Sequence, residues 1–170
     1  MKFTFGIAVL LISAFLQDWF VQKIDTRVSV SFPSKPTREL LQGEPYYSLF
    51  STDGFNCVAM ASDYAKVKMD SAAVAQYMST AEALTSTEES LLKDFKGSAL
   101  ISGKSITYGG HITFDITMTT GQKTSAGQHD ILDYRMIVVG PKVYSLYFYY
   151  DKVKPLPAIK DKFYNSFVVK

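Results

Sequence analysis

The chain has 170 residues, 47% hydrophobic and 20% charged, with 18 Lys and Arg against 16 Asp and Glu for a formal charge of +2. That length and composition suit one globular domain and exclude a disordered chain. The charges are spread without blocks of one sign, so the electrostatic footprint of a nucleic-acid or anionic-lipid binder is missing.

At the N-terminus, Lys2 precedes an apolar run from Phe3 to Leu16 that Gln17 and Asp18 end. A basic residue, a short apolar stretch and a polar edge make the pattern of a secretory signal peptide. The run is shorter than the roughly 20 residues a spanning helix needs. The expectation is a cleaved leader at 1–17, leaving no stable membrane span, ahead of one domain at 18–170. The competing reading makes residues 3 to 16 a buried helix of that domain. Cys57 is the only cysteine, which excludes an internal disulfide and a lipidated cysteine at the cleavage point. It lies in the apolar run Cys57 to Ala61, where a buried, inert thiol is expected.

Trp19 to Ile24 and Arg27 to Phe32 read as extended, with Val28, Val30 and Phe32 on one face and Ser29 and Ser31 on the other. Pro33 and Pro36 end that strand. Gly43 to Pro45 open a strand through Tyr46, Tyr47, Leu49 and Phe50, and Asp53-Gly54 turns it into an antiparallel partner from Phe55 to Tyr64. From Asp70 the period changes to helical, with Val74, Tyr77, Met78, Ala81, Leu84, Leu91, Leu92 and Phe95 on one stripe. Asp70 or Ser71 is the expected cap, Thr85 to Glu89 the expected break into two helices, and Gly97 the stop.

Ala99 to Tyr108 and His111 to Thr119 flank Gly109-Gly110 as a hairpin. In the second strand Ile112, Phe114, Ile116 and Met118 alternate with polar residues. Gly121 to Gln128 reads as a mobile surface connection. Asp130 to Val139 and Lys142 to Tyr150 then form a closing hairpin whose last strand is bulky on both faces, as in a sheet covered on two sides. A short amphipathic segment ends at Ser166-Phe167, expected to pack on that sheet. The fold class is α+β: a central antiparallel β-sheet flanked by helices, an α/β/α sandwich.

Signals for chemistry are sparse. No Gly-x-Ser-x-Gly elbow is present, Gly103-Lys104-Ser105 lacks the first glycine of a phosphate loop, and no cofactor motif occurs. A metal site is conceivable if His111 or Asp115 meets His129 and Asp130 across neighbouring strands, although His111 and Asp115 are themselves roughly 13 Å apart at strand rise. Tyr46, Tyr47, Tyr144, Tyr147 and Tyr149, with Tyr150 beside them, could line a surface for a ligand or partner, since tyrosine offers an apolar face with a polar tip. Arg135 interrupts an apolar strand and needs a carboxylate, for which Asp133 is the expected partner.

Taken in order, Val28-Ser29-Val30-Ser31-Phe32-Pro33, the central helices, Tyr134-Arg135-Met136 leading through Gly140 to Val143-Tyr144-Ser145-Leu146, and the closing Phe163-Tyr164-Asn165-Ser166-Phe167 resemble the PsbP and DcrB-like superfamily. A small Ran-binding nuclear import factor shares its fold. The resemblance spans residues 18 to 169 and implies a helix-covered antiparallel sheet with no catalytic residues and no cofactor. It further implies non-enzymatic work: oxygen-evolving-complex assembly in chloroplast members, envelope or lipoprotein roles in bacteria. The resulting expectation is a bacterial exported, non-catalytic binding or accessory domain whose partner is an envelope protein or a small ligand. The alternative is a metal-dependent envelope enzyme built on His111, Asp115, His129 and Asp130.

Overall fold

The computed structural model describes residues 18–122 and 129–170. The expected leader at 1–17, the competing helix at 3–16 and residues 123–128 of the surface connection lie outside them.

Seven strands build the main sheet. They are β3 (Thr37–Leu41), β4 (Glu44–Ser51), β5 (Phe55–Asp63), β6 (Ala99–Tyr108), β7 (His111–Thr119), β8 (Ile131–Val139) and β9 (Lys142–Tyr150), in spatial order β3-β4-β5-β9-β8-β7-β6. Every pairing is antiparallel. Two-residue turns fix several registers: Gly109 and Gly110 take φ of 57° and 82°, so Tyr108 pairs with His111 across a turn that suits the sheet twist. A second, three-stranded sheet orders β1 (Phe20–Lys23), β2 (Val28–Phe32) and β10 (Val168–Val169) as β1-β2-β10.

Helices α1 (Ser71–Met78) and α2 (Ala81–Asp94) cover one face of the main sheet. Val74, Met78, Ala83 and Leu91 pack there on Phe114, Ile116, Met118, Leu132, Met136 and Val143. The opposite face is closed by the small sheet and α3 (Pro157–Asn165), through Val28, Val30, Phe32, Phe163 and Phe167 on Cys57, Ile137, Leu146 and Phe148. The sandwich expected from sequence is therefore present, with one cover of two helices and the other of a helix and a small sheet. Phe32 and Phe163 meet edge to face at 5.3 Å, and burying such rings is among the largest single contributions to a core. Ser166 Oγ accepts from the Ser31 amide at 2.8 Å, and Phe167 lies against Tyr144, so the closing segment packs as a lid.

Two local details differ from the sequence reading. Strand β3 has no counterpart in it, because all five of its residues are exposed and show no alternation. The helical region breaks at Ser79-Thr80, where the Thr80 side chain caps α2 by accepting from the Ala83 amide; α2 runs through Thr85 to Glu89 unbroken, and Thr87 donates to the Ala83 carbonyl instead of starting a helix. Asp70 caps α1, as expected, by accepting from the Ala73 amide at 2.8 Å. Gly121 crosses the chain after α2 so closely that a Cβ there would fall 2.5 Å from backbone atoms of Lys96 and Gly97. That approach fixes the end of β7 against the end of α2.

Candidate functional site

Asp25, in the turn between β1 and β2, organises the largest of the described clefts. Its Oδ1 accepts from the backbone amides of Arg27 and Val28 at 2.8 and 2.9 Å, which shapes the turn. Its Oδ2 accepts from Lys142 Nζ at 2.8 Å and from the Tyr144 hydroxyl at 2.6 Å, both on β9. One carboxylate thus ties the small sheet to the main one. Partial burial works against its charge, but the bonds from Lys142, Tyr144 and the two amides outweigh that and hold the Asp25 carboxyl well below the usual carboxylate range.

Around this anchor lies an open cleft of about 550 Å³. Ile24, Val28 and Tyr47 give it apolar walls, and Lys23, Arg27, Lys142 and Lys170 stand along it with Asp25 as the only acidic side chain among its described lining residues. Among the described residues, neither Lys23 nor Arg27 has an ion-pair partner. The arrangement offers cations beside an apolar wall, which suits an acidic ligand with some apolar surface.

The tyrosines divide between the two faces of the sheet. Tyr47 and Tyr144 are buried on the side of α3 and the small sheet, and Tyr150 joins them there with its phenol pushed up to about 12 by burial and the nearby Asp133 carboxylate. Tyr147 and Tyr149 lie on the α1-α2 side, their rings stacked with centroids 6.4 Å apart. Tyr46 stands near the sheet edge and donates to Glu39 on β3. No common surface gathers all five.

The His and Asp residues of the metal reading do not converge either. Strands β7 and β8 are neighbours, as that reading required, but Thr119 pairs with Ile131 and Thr120 bonds to His129 and Asp130. His111 begins the same strand nine positions earlier, roughly 30 Å away at strand rise. Both oxygens of Asp115 accept from Arg135, at 2.7 and 2.8 Å, and Asp130 accepts from the Lys152 amide. Among the described residues, no group of three or more His, Cys, Asp and Glu is placed to share a metal ion.

Arg135 finds its carboxylate across the strands, not on its own strand. Asp115 lies directly opposite in the register, and the guanidinium is held between the rings of Tyr108 and Tyr164 at 5.0 and 4.6 Å from their centroids. Asp133, the partner expected from sequence, accepts instead from Lys160 of α3 and Thr117. Every charge in this group has a partner, so it serves to join α3 to the sheet. Cys57 is fully buried, and burial pushes its thiol well above the usual range, which makes it inert as a nucleophile.

A smaller cleft of about 220 Å³ opens on the other face, where Tyr149 and His129 come together with Phe50, Val58 and Phe95. His129 is 5% exposed, and its Nδ1 lies 2.9 Å from Asp151 Oδ1. Its Nε2 is buried and has no hydrogen-bond partner among the described residues. Sequence reasoning flagged His129 and Tyr149 for different reasons and missed both Asp151 and the cleft, since 22 residues separate the bonded pair.

No protein-family pattern matches the chain, and no curated protein matches it. Among solved structures, the cyanobacterial PsbP (CyanoP) from Synechocystis sp. PCC 6803 superposes with a TM-score of 0.57 at 10% identity, over 88% of this chain and 92% of that one. A protein of unknown function from Pseudomonas aeruginosa, PA94, reaches 0.48 at 14% identity, over 86% and 92%. A Bacteroides thetaiotaomicron VPI-5482 protein reaches 0.35 at 12% identity, over 84% and 45%. No helix among the described residues is long and apolar enough to cross a membrane. The antiparallel main sheet, paired helices on one face and terminal helix on the other are thus the PsbP-like α+β fold, a likeness of architecture alone.

Proposed function

We propose that residues 18–170 act as an exported, non-catalytic binding domain of the cell envelope that holds an acidic segment of a partner protein, with residues 1–17 as its export leader. The observation that carries this reading is the cleft where Lys23, Arg27 and Lys142 stand beside the apolar wall of Ile24, Val28 and Tyr47. Two of those cations have no carboxylate of their own among the described residues. An incoming carboxylate therefore gains charge-assisted bonds without first breaking an internal pair. Asp25 holds the third, Lys142, in place from the opposite side.

An oligo-glutamate peptide is the direct probe. Calorimetry is expected to show binding at low salt that weakens as salt rises, because rim charges act through a screened field. The double change Lys23→Glu with Arg27→Glu should remove it. Equal binding by that variant, or binding indifferent to salt, would refute the acidic-segment reading. Export is tested separately by the intact mass of the chain recovered from the envelope: a full-length mass argues against the leader.

A further inference from the structure

We infer that the cleft between β4, β5 and the end of α2 is a second, independent site, one that takes a small aromatic ligand carrying an N–H or O–H donor. It lies on the opposite face of the main sheet from the basic cleft. Its use does not depend on the partner proposed there.

The hydrogen-bond state of His129 defines the ligand. Asp151 accepts from Nδ1, so in the neutral imidazole Nδ1 carries the proton and Nε2 is left as an acceptor. That acceptor is buried, and unpartnered among the described residues, in a residue 5% exposed. A buried polar atom without a partner is uncommon in a folded protein and marks the place for one. Toward the neutral imidazole the missing group donates, which selects a hydroxyl or an N–H.

The walls define the rest. Phe95 and Tyr149 lie with ring centroids 6.3 Å apart and tilted by 51°, and Phe50 stands at the mouth with 67% of its surface exposed. Aromatic walls favour a planar partner by stacked or edge contacts. Phe50 is a large apolar side chain turned to solvent, and a bound ring would cover it. A cavity of roughly 150 Å³ accepts benzene, so about 220 Å³ has room for a fused bicycle and none for a folded peptide segment. Indole meets these requirements together: planar, of suitable size and with one N–H donor.

Indole and 1-methylindole are the probes, because they differ in the donor and little in shape. Titration of the full chain, followed by ¹⁵N-histidine NMR, is expected to show indole binding with a shift at His129 Nε2. The methylated analogue should bind about tenfold more weakly, the worth of one hydrogen bond. Val58→Phe fills the cleft and should remove binding, while Phe50→Ala, at an exposed position, should weaken it several-fold with the fold intact. Equal affinity for the two probes, or an Nε2 resonance that stays put when indole binds, would overturn the assignment. So would undiminished binding to Val58→Phe.

Discussion

The two sides of β9 make the most instructive contrast in the molecule. Tyr144, Leu146 and Phe148 face a cover of α3 and the small sheet, and all three are at most 1% exposed. Tyr147 and Tyr149, on the other side, are only partly buried, because α1 and α2 lie over the β6 to β8 side and leave the β4-β5 end open. One strand with bulky residues throughout thus has one sealed face and one half-open face. On the sealed face the largest of the described clefts lies at the end, where the β1-β2 turn leaves the sheet, and a smaller polar one opens between α3 and the strands at Asp133 and Arg135. On the open face the cleft is the uncovered sheet itself.

The largest test of that contrast is Phe163→Ala. Phe163 is fully buried, touching the rings of Phe32, Phe148 and Tyr164, and its loss should cost about 4 kcal/mol by denaturant unfolding. Leu91→Ala, its counterpart in α2, should cost about 2 to 3 kcal/mol. Equal costs would mean that the two covers seal alike. Next in size is Arg135→Ala, expected to cost about 3 kcal/mol, because it leaves Asp115 uncompensated and removes the guanidinium between Tyr108 and Tyr164. A loss below about 1 kcal/mol would show the pair to be solvated, and the attachment of α3 to rest on its apolar contacts and on the bonds of Lys160 and Tyr164 to Asp133.

Asp25→Asn comes third, with a loss of about 2 kcal/mol at neutral pH. Its folded pKa is depressed, so its contribution is present above the unfolded value of 3.8 and is lost as pH falls from there toward the folded one. Thermal melts of the wild type should therefore fall through this acid window, and those of Asp25→Asn should fall less. Parallel curves would remove Asp25 as the tie between the two sheets.

The sequence carried the hairpins well, because Asp53-Gly54 and Gly109-Gly110 supply turns whose geometry dictates register. Bulky residues on both faces from Tyr144 to Tyr150 already marked β9 as a strand covered on two sides. That pattern could not say which face would be sealed, since that depends on where the closing residues Val168 and Val169 add to β2, far away in the chain. Arg135 announced its need for a carboxylate, but its partner Asp115 emerges only from the β7-β8 register. Strand β3 was invisible for a related reason: an exposed edge strand has no buried face to impose a period on Thr37 to Leu41. The helix break was misplaced because Thr80 and Thr87 are equally good caps in sequence, and packing of Ala83 and Leu91 on the sheet chose between them.

The smallest effects discriminate most finely, because the same change can be made on both sides of one strand. Tyr144→Phe removes a hydroxyl that donates to Asp25 at 2.6 Å in a partly buried bond. It should cost about 1 kcal/mol and raise the Asp25 pKa by withdrawing one of the bonds that lower it. Tyr149→Phe removes a hydroxyl at the rim of the open cleft and should cost less than about 0.5 kcal/mol, the range of changes that break no buried hydrogen bond. Paired unfolding curves decide the matter. If Tyr149→Phe proves as costly as Tyr144→Phe, the cleft beside His129 is closed in solution and β9 is sealed on both faces.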